Sequence, residues 1–539
     1  MQAFAALLDR LVLTPQRNAK LRLMADYFRM TPDPDRGYAL AALTGELDIP
    51  SVKPAMLRAL VTSRVDETLF AYSYDYVGDL AETISLIWPS KTGGPRPSPA
   101  MSPRLADVVE RLGASSRSDG PRLVETWLDQ LDATGRWALI KLVAGGLRIG
   151  VSARLAKQSI ADMGGKAVNE IEEVWHGVEP PYAELFAWIE ERGPRPESKV
   201  RAPFRPVMLS HAIADNELAQ ITPDAYAAEW KWDGIRVQAV NDGGTRRLYT
   251  RTGDDISHAF PDLVAGIDVE GAIDGELLIG AYGDAGFALG SFADLQQRLN
   301  RKAVSAKLMD SHPAFIRTYD CLVDGSEDVR GLPFRERRRR LESLVGRSLA
   351  RRMDLSPLLG YAGGEELAAL RSAPPDAVIE GVMLKRWDSI YEPGRPKGPW
   401  FKWKRDPHTV DAVLMYAQRG HGKRSSYYSD YTFGVWRDGA SGDELVPVGK
   451  AYFGFTDEEL VEIDRFVRNN TVSRFGPVRE VVHEPAKGLV LEVAFEGLQK
   501  SSRHKSGVAM RFPRIARLRW DKPPSEADRL ETLVKLIRN

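Results

Sequence analysis

A single cysteine, Cys321, occurs in 539 residues. That excludes a disulfide framework and any zinc module built on four cysteines, and it is compatible with a reducing compartment. No run of 18 apolar residues is present. The N-terminal stretch MQAFAALLDRLVLTPQRNAKLRLM is broken by Asp9, Arg10, Arg17 and Lys20, so it reads as neither a signal peptide nor a membrane span. Net charge is missing as well: Lys plus Arg number 74, and so do Asp plus Glu. A neutral chain carries no overall mark of a polyanion partner. Repeats and low-complexity tracts are absent, and none of the eight histidines has metal-ligand spacing. What remains is a soluble, cytoplasmic globular chain with no membrane partner, whose length suggests about three domains.

Residues 1 to about 195 read as all-helical. Apolar spacing near 3.6 recurs in FAALLDRLVL, PAMLRALV and PRLVETWLDQL. The stretch 89–104, with five prolines and two glycines, reads as a loop, and GPRPES at 193–198 as a linker. From 200 to 407 the texture becomes mixed α/β. RVQAV, RRLYTR, AIDGELLIG, AFIRTYDCLV and VIEGVMLKRW read as strands, and SFADLQQRLNRK (capped by Ser291) and LPFRERRRRLESLV as helices. Short strands dominate 408–539, interrupted by one helix with a capping box at Thr456 and Glu459, a pattern that suits an OB-fold barrel. EADRLETLVKLIRN reads as a closing amphipathic helix. The expected class is multidomain α+β.

The strongest local signal is Lys231-Trp232-Asp233-Gly234-Ile235-Arg236. Alone, a K-x-D-G is weak, and a charged strand end followed by a turn would explain it. It is followed in order by Tyr249-Thr250-Arg251-Thr252-Gly253, Asp274-Gly275-Glu276, Tyr319-Asp320, Glu380-Gly381-Val382-Met383-Leu384-Lys385, Trp400-Phe401-Lys402-Trp403-Lys404 and Arg511-Phe512-Pro513-Arg514 running on to Lys522. Phosphoryl-type transfer needs a nucleophile, neutralisation of phosphate charge and alignment of the leaving group. Lys231 is the candidate nucleophile. It attacks only when deprotonated, a state favoured by neighbouring cations, for which Arg236, Lys402, Lys404 and a metal are candidates. Lys402 and Lys404 alternate on a strand and so share one face, with Trp400. Glu276 and Glu380 suit Mg²⁺, a hard cation bound through one or two carboxylates plus phosphate.

The ordered set resembles the covalent nucleotidyltransferases, and most closely the ATP-dependent DNA ligases. PFRPVMLSHAI is similar to the segment that opens their catalytic domain, and GRWALIKLVAGGLRIGVSARLAKQSIADM to their N-terminal DNA-binding domain. The opening segment also resembles a bacterial subgroup linked to DNA damage repair. The resemblance implies a helical DNA-binding domain (1–195), an adenylation or nucleotidyltransferase domain (200–407) and an OB-fold domain with a C-terminal helix (408–539). It implies an enzyme that seals 5′-phosphate/3′-hydroxyl nicks in duplex DNA through lysyl-AMP and adenylated DNA, using ATP and Mg²⁺ or Mn²⁺. A monomer in the bacterial cytosol or nucleoid, serving repair, is the expected setting.

The same resemblance implies residue roles. Lys231 carries the AMP, Glu229 accepts from the adenine amino group, and Tyr319 stacks on the base. Arg236 and Glu276 help to bind the nucleotide, Arg251 contacts ribose and the DNA 5′-phosphate, and Lys402 and Lys404 meet the α-phosphate. Arg514, Arg519 and Lys522 orient pyrophosphate, and Glu276 and Glu380 hold metal. Lys141 and Arg148 flank paired glycines that either approach DNA phosphates or merely turn the chain after a helix. The most basic run, 333–352, with eight Arg and two Glu, reads as an amphipathic surface helix rather than a DNA footprint. Cys321 reads as core. An NAD-dependent ligase is disfavoured by the single cysteine. An RNA ligase or capping-type enzyme, and a non-catalytic nucleic-acid scaffold, remain as alternatives.

Overall fold

The computed structural model describes residues 1–77, 79–89, 102–197, 201–283, 286–299, 301, 303–419, 427–439, 442–475, 478–501 and 505–537. Most of the proline-rich loop expected at 89–104 and the end of the linker before residue 200 fall outside them. The chain divides into two compact units, Met1–Ile160 with Pro407–Asn539, and Ala161–Asp406.

The unit Ala161–Asp406 is built on two sheets. Its first is five-stranded and includes β1 (Tyr226–Trp232), with β6 (Ile379–Arg386) beside it and then β7 (Trp400–Lys404). The second is seven-stranded and holds β2 (Ile235–Asp242), β3 (Thr245–Thr250), β4 (Gly271–Gly283) and β5 (Ala314–Asp324), in the order β3–β2–β4–β5. Alternation decides which side chains go inward. Ala228, Trp230 and Trp232 from β1 pack with Val382, Leu384 and Phe401 and with Leu278 and Phe315 of the second sheet. The other face of β1 therefore carries Glu229 and Lys231. Helix Phe334–Arg347 lies on β5, and its Leu341 and Leu344 join the second sheet's core. The helical segments after Ala161 also belong to this unit, and there Glu173 pairs with Arg330 at 3.5 Å.

The described residues of 1–160 are mainly helical, as the apolar spacing predicts. In Gln2–Leu13 the buried positions Phe4, Leu7, Leu8 and Leu11 follow i, i+3, i+4, i+7. Asp79 and Asp132 cap the helices Leu80–Ile87 and Ala133–Ala144 by accepting N–H groups three residues on. Among the described residues no helix is long and apolar enough to cross a membrane.

The C-terminal part is strand-rich and curled. The long strand β8 (His408–Arg419) pairs with β9 (Tyr428–Gly439) along one edge. Its other edge is shared end to end: residues 408–413 pair with β10 (Val490–Phe495), and 416–418 with Val478–Val481. A strand that serves two neighbours in turn bends the sheet toward a half-barrel, and helix Asp457–Asn469 carries the expected Thr456–Glu459 capping box. One expectation is trimmed. The closing helix covers only Leu530–Leu536, because the preceding Asp528 is held extended: its N–H donates to Asp411 O at 2.8 Å, and its C=O accepts from Trp436 N at 3.1 Å.

Candidate active site

The Lys231–Arg236 motif is the crossing from one sheet to the other. Lys231 is the penultimate residue of β1 and Arg236 the second of β2, so the turn between the strands must pass tightly over β4. Asp233 N donates to Val378 O at 2.7 Å. A Cβ on Gly234 would lie 2.4 Å from Leu277 O and 2.9 Å from Glu276 Cγ. Only glycine fits there, and the close approach brings Glu276 beneath the motif.

Across the first sheet, Lys231 and Lys404 both pair in register with Gly381. At φ +150°, Gly381 places no side chain between them, and a Cβ would strike Trp403 O at 2.2 Å. A register shift between Ile379 and Gly381 re-aims Glu380 onto this row. Lys231 Nζ donates to Glu380 Oε1 at 2.5 Å, and Lys404 Nζ lies 3.0 Å from Glu380 Oε2. Met383 pairs with both Lys402 and Glu229, so these two flank the next row. The expected shared face of Trp400, Lys402 and Lys404 is thus the face that carries Lys231.

The electrostatics follow from this crowding. Burial lowers the Lys402 ammonium below its ordinary value, and Lys231 and Lys404 add to the effect. Burial alone would raise the Glu380 carboxyl, but Lys231 and Lys404 outweigh it and hold the carboxyl below the usual range. Burial pushes the Glu276 carboxyl up to about 7 despite Lys231, and the like charge of Glu380 contributes. Two neighbouring carboxylates driven apart in this way fit a divalent cation that would neutralise both. Among the described residues no three His, Cys, Asp or Glu side chains converge as a complete metal site. A cation here would therefore need other ligands, as Mg²⁺ commonly takes from substrate phosphate.

On the second sheet Arg236 pairs in register with Glu276. Its guanidinium donates to Asp274 Oδ2 at 2.5 Å, Tyr391 Oη at 2.9 Å and Met208 O at 2.5 Å. Tyr319 is the extra residue of a bulge, since Asp274 pairs with Asp320 while Gly275 pairs with Thr318. Its ring lies 5.9 Å from the Arg236 guanidinium and 4.3 Å from Lys385 Nζ. Glu229 is buried, 1% exposed, and its carboxylate meets Arg338 at 3.0 Å and also Lys385. The structure thus brings Lys231, Glu229, Arg236, Glu276, Tyr319, Glu380, Lys402 and Lys404 together. Arg251 is exposed on the turn after β3.

The remaining expected residues belong to the other compact unit. Arg519 and Lys522 meet Asp411 at 3.0 and 2.7 Å, Arg519 also meets Asp521 at 2.9 Å, and Arg514 begins the strand Arg514–Arg519, which pairs with β10. In the helical part, Lys141 donates to Asp79 at 2.6 Å. Gly145 and Gly146, both at positive φ, end the helix Ala133–Ala144. Exposed Arg148 follows at φ 51°, its loop pinned by Lys20 Nζ donating to Gly150 O at 2.8 Å. These glycines, Thr44, Lys141 and Arg148 line a cavity of about 280 Å³.

Sequence reasoning missed Asp274, Arg338, Lys385 and Tyr391. Asp274 lies two residues before Glu276, so strand alternation could have placed it on the same face. Arg338 occupies the buried stripe of its helix (Phe334, Arg337, Arg338, Leu341, Leu344), and a cation in an apolar stripe signals a buried acid. Lys385 closes a motif that was read for its glutamate. Tyr391 gave no signal.

Three family models match successive parts of the chain: DNA ligase N terminus (residues 1–161), ATP dependent DNA ligase domain (207–404) and ATP dependent DNA ligase C terminal region (424–522). The chain is 30% identical over 576 residues to a probable DNA ligase of Koribacter versatilis, which covers 100% of this chain and 97% of that protein. It is 31% identical over 558 residues to DNA ligase 1 of Korarchaeum cryptofilum, covering 98% and 97%. The solved structure Pmar-Lig_Pre is similar in fold, with a TM-score of 0.61 at 15% identity over 96% of this chain and 99% of that one.

Proposed function

The chain belongs to the ATP-dependent DNA ligases, and from that premise we propose that it seals 5′-phosphate/3′-hydroxyl nicks in duplex DNA through a lysyl-AMP intermediate. The observation that carries this reading is the row Lys231–Gly381–Lys404, with Glu380 bridging the two ammonium groups. Lys231 Nζ attacks the α-phosphorus of ATP. An N–P bond forms, the bond to pyrophosphate breaks, and the ammonium proton leaves. The 5′-phosphate of the nick then takes the AMP from Lys231, and the 3′-hydroxyl displaces AMP to close the strand.

Lys402 and Lys404 face the same side as Lys231 and neutralise charge on the α-phosphate as it passes to the lysine. Tyr319 offers its ring to the base, Glu229 accepts from the adenine amino group, Arg236 helps to bind the nucleotide, and Arg251 contacts ribose and the DNA 5′-phosphate. Glu276 and Glu380 would hold Mg²⁺ or Mn²⁺ together with phosphate oxygens, and the cation would supply charge neutralisation there. Arg514, Arg519 and Lys522 orient pyrophosphate. Arg519 and Lys522 are held by Asp411, so phosphate oxygens must take that carboxylate's place. Lys141 and Arg148 serve the DNA backbone, and Lys141 must first leave Asp79. We assign DNA binding to 1–195, adenylation to 200–407 and the OB-fold role to 408–539. The setting is a monomer acting in repair in the bacterial cytosol.

Incubation with α-labelled ATP tests the first step. The full chain should take up label with the acid-labile, alkali-stable behaviour of an N–P bond and pass it to the 5′ end of a nicked duplex, whereas Lys231→Ala should take up none. Equal labelling of Lys231→Ala would sink the assignment.

A further inference from the structure

We propose that Arg338 and Lys385 are positioning residues that set the nucleobase choice of the adenylation site, by holding Glu229 as a fixed acceptor. The inference deepens the function above and rests on the reading of Glu229 as the partner of the adenine amino group.

Both cations are buried with the carboxylate they hold: Glu229 is 1%, Lys385 2% and Arg338 5% exposed. Arg338 Nη1 donates to Glu229 Oε1 at 3.0 Å. The same guanidinium donates to Ser356 O and to Glu342 Oε1, each at 2.9 Å, so its plane has no freedom to turn. Lys385 meets the other oxygen, Oε2, as a buried ion pair. Each carboxylate oxygen thus faces its own cation, which fixes the plane and position of the acceptor.

Lys385 does a second thing. Its ammonium lies 4.3 Å from the Tyr319 ring centre, with Trp400 at 4.9 Å and Phe334 at 5.1 Å. One cation therefore ties the group that would read the edge of the base to the ring that would stack on its face. Glu229 and Lys231 lie on one face of β1, two residues apart, so a base read at Glu229 is registered against the nucleophile.

The chemical consequence is selectivity. An ionised carboxylate can only accept, which suits the adenine amino group. It sets lone pair against lone pair with the corresponding carbonyl oxygen of guanine. Without its cations the carboxylate is no longer held in one plane and position, and the opposition of lone pairs that rejects guanine weakens. Arg338 and Lys385 act on the base through Glu229 and need not touch it.

The test is lysyl-nucleotide formation by the full chain with α-labelled ATP and, separately, α-labelled GTP. Lys385→Met and Arg338→Met should each lower the ATP-over-GTP ratio by at least about tenfold, since rejection of an analogue at a buried polar site depends on the fixed acceptor. Arg338→Lys and Lys385→Arg keep the charge and should retain most of the ratio, so the proposal survives a neutral variant that fails to fold. Adding either neutral change to Glu229→Gln should leave the ratio of Glu229→Gln where it is. Labelling that falls equally for both nucleotides at an unchanged ratio would show a purely structural role and overturn the proposal. So would a further fall in the double variants, or a ratio lost as fully with charge kept as with charge removed. A wild-type chain that takes no label from either nucleotide would instead refute the lysyl-nucleotide chemistry itself, a failure distinct from the others.

Discussion

Two regions of the Ala161–Asp406 unit are rich in cations, and they use them in opposite ways. Helix Phe334–Arg347 carries the densest positive run in the sequence, yet most of its arginines are paired with acids within the fold. Arg337 meets Asp320 at 2.8 Å with both side chains fully buried, Arg338 meets Glu229, Arg340 meets Glu327 at 2.9 Å, and Arg347 meets Asp324 at 3.2 Å. The lysine face has fewer cations, but burial, with Lys231 and Lys404 adding to it, lowers the Lys402 ammonium, and Glu380 is shared between Lys231 and Lys404. Charge density along the chain thus marks packing in one region, and charge concentrated by strand register marks chemistry in the other. Neither is visible in the zero net charge.

The comparison breaks most readily at Arg337. Removing one partner of a buried ion pair leaves the other charge uncompensated, which costs about 3–5 kcal/mol. Arg337→Ala should therefore lose about that much unfolding free energy in a denaturant titration, while the molecules that remain folded keep their adenylation rate. Full stability with lost activity would move this arginine from packing to chemistry.

The reverse should hold at Lys404. Its side chain is 37% exposed, so Lys404→Ala should change stability by less than about 0.5 kcal/mol. Loss of a donor aimed at developing charge should slow lysyl-AMP formation on the order of 10²–10³-fold. Single-turnover labelling measures that rate. A variant as fast as the parent would remove Lys404 from the site.

How much of this was legible in the sequence follows from the same contrast. Alternation in Trp400–Lys404 was enough to put three side chains on one face, because a strand's period is fixed. The helix Phe334–Arg347 was legible as amphipathic, but not which arginines turn inward, since an apolar stripe with two cations makes sense only once Asp320 and Glu229 are opposite it. Tyr391 and Asp274 hold Arg236 from 155 and 38 residues away. No local pattern encodes a hydrogen bond closed by tertiary packing. The bulges at Tyr319 and before Gly381 were hidden for a related reason: a bulge is a mismatch between two strands, and one strand read alone does not show it. The closing helix is shorter than its amphipathic pattern because the backbone of Asp528 bonds to β8 and β9 rather than to its own turn.

The site's two acids sharpen the comparison once more, and by the smallest effect. Glu276 and Glu380 start from the same ordinary value, 4.5, and are driven in opposite directions. For Glu276 burial holds the proton on the folded chain up to about 7. Between about 4.5 and 7 the folded state binds more protons than the unfolded one, so this contribution to stability is complete at low pH and is lost as pH rises through that window. For Glu380, burial opposes the carboxylate, but Lys231 and Lys404 prevail. Its contribution is present above the ordinary value and is lost as pH falls below it. In metal-free buffer the unfolding free energy of the parent, minus that of Glu276→Gln, should decline as pH is raised. The same difference against Glu380→Gln should decline as pH is lowered. Two difference curves of the same slope would mean that the lysines do not divide these acids, and that the register of Gly381 leaves both in one environment.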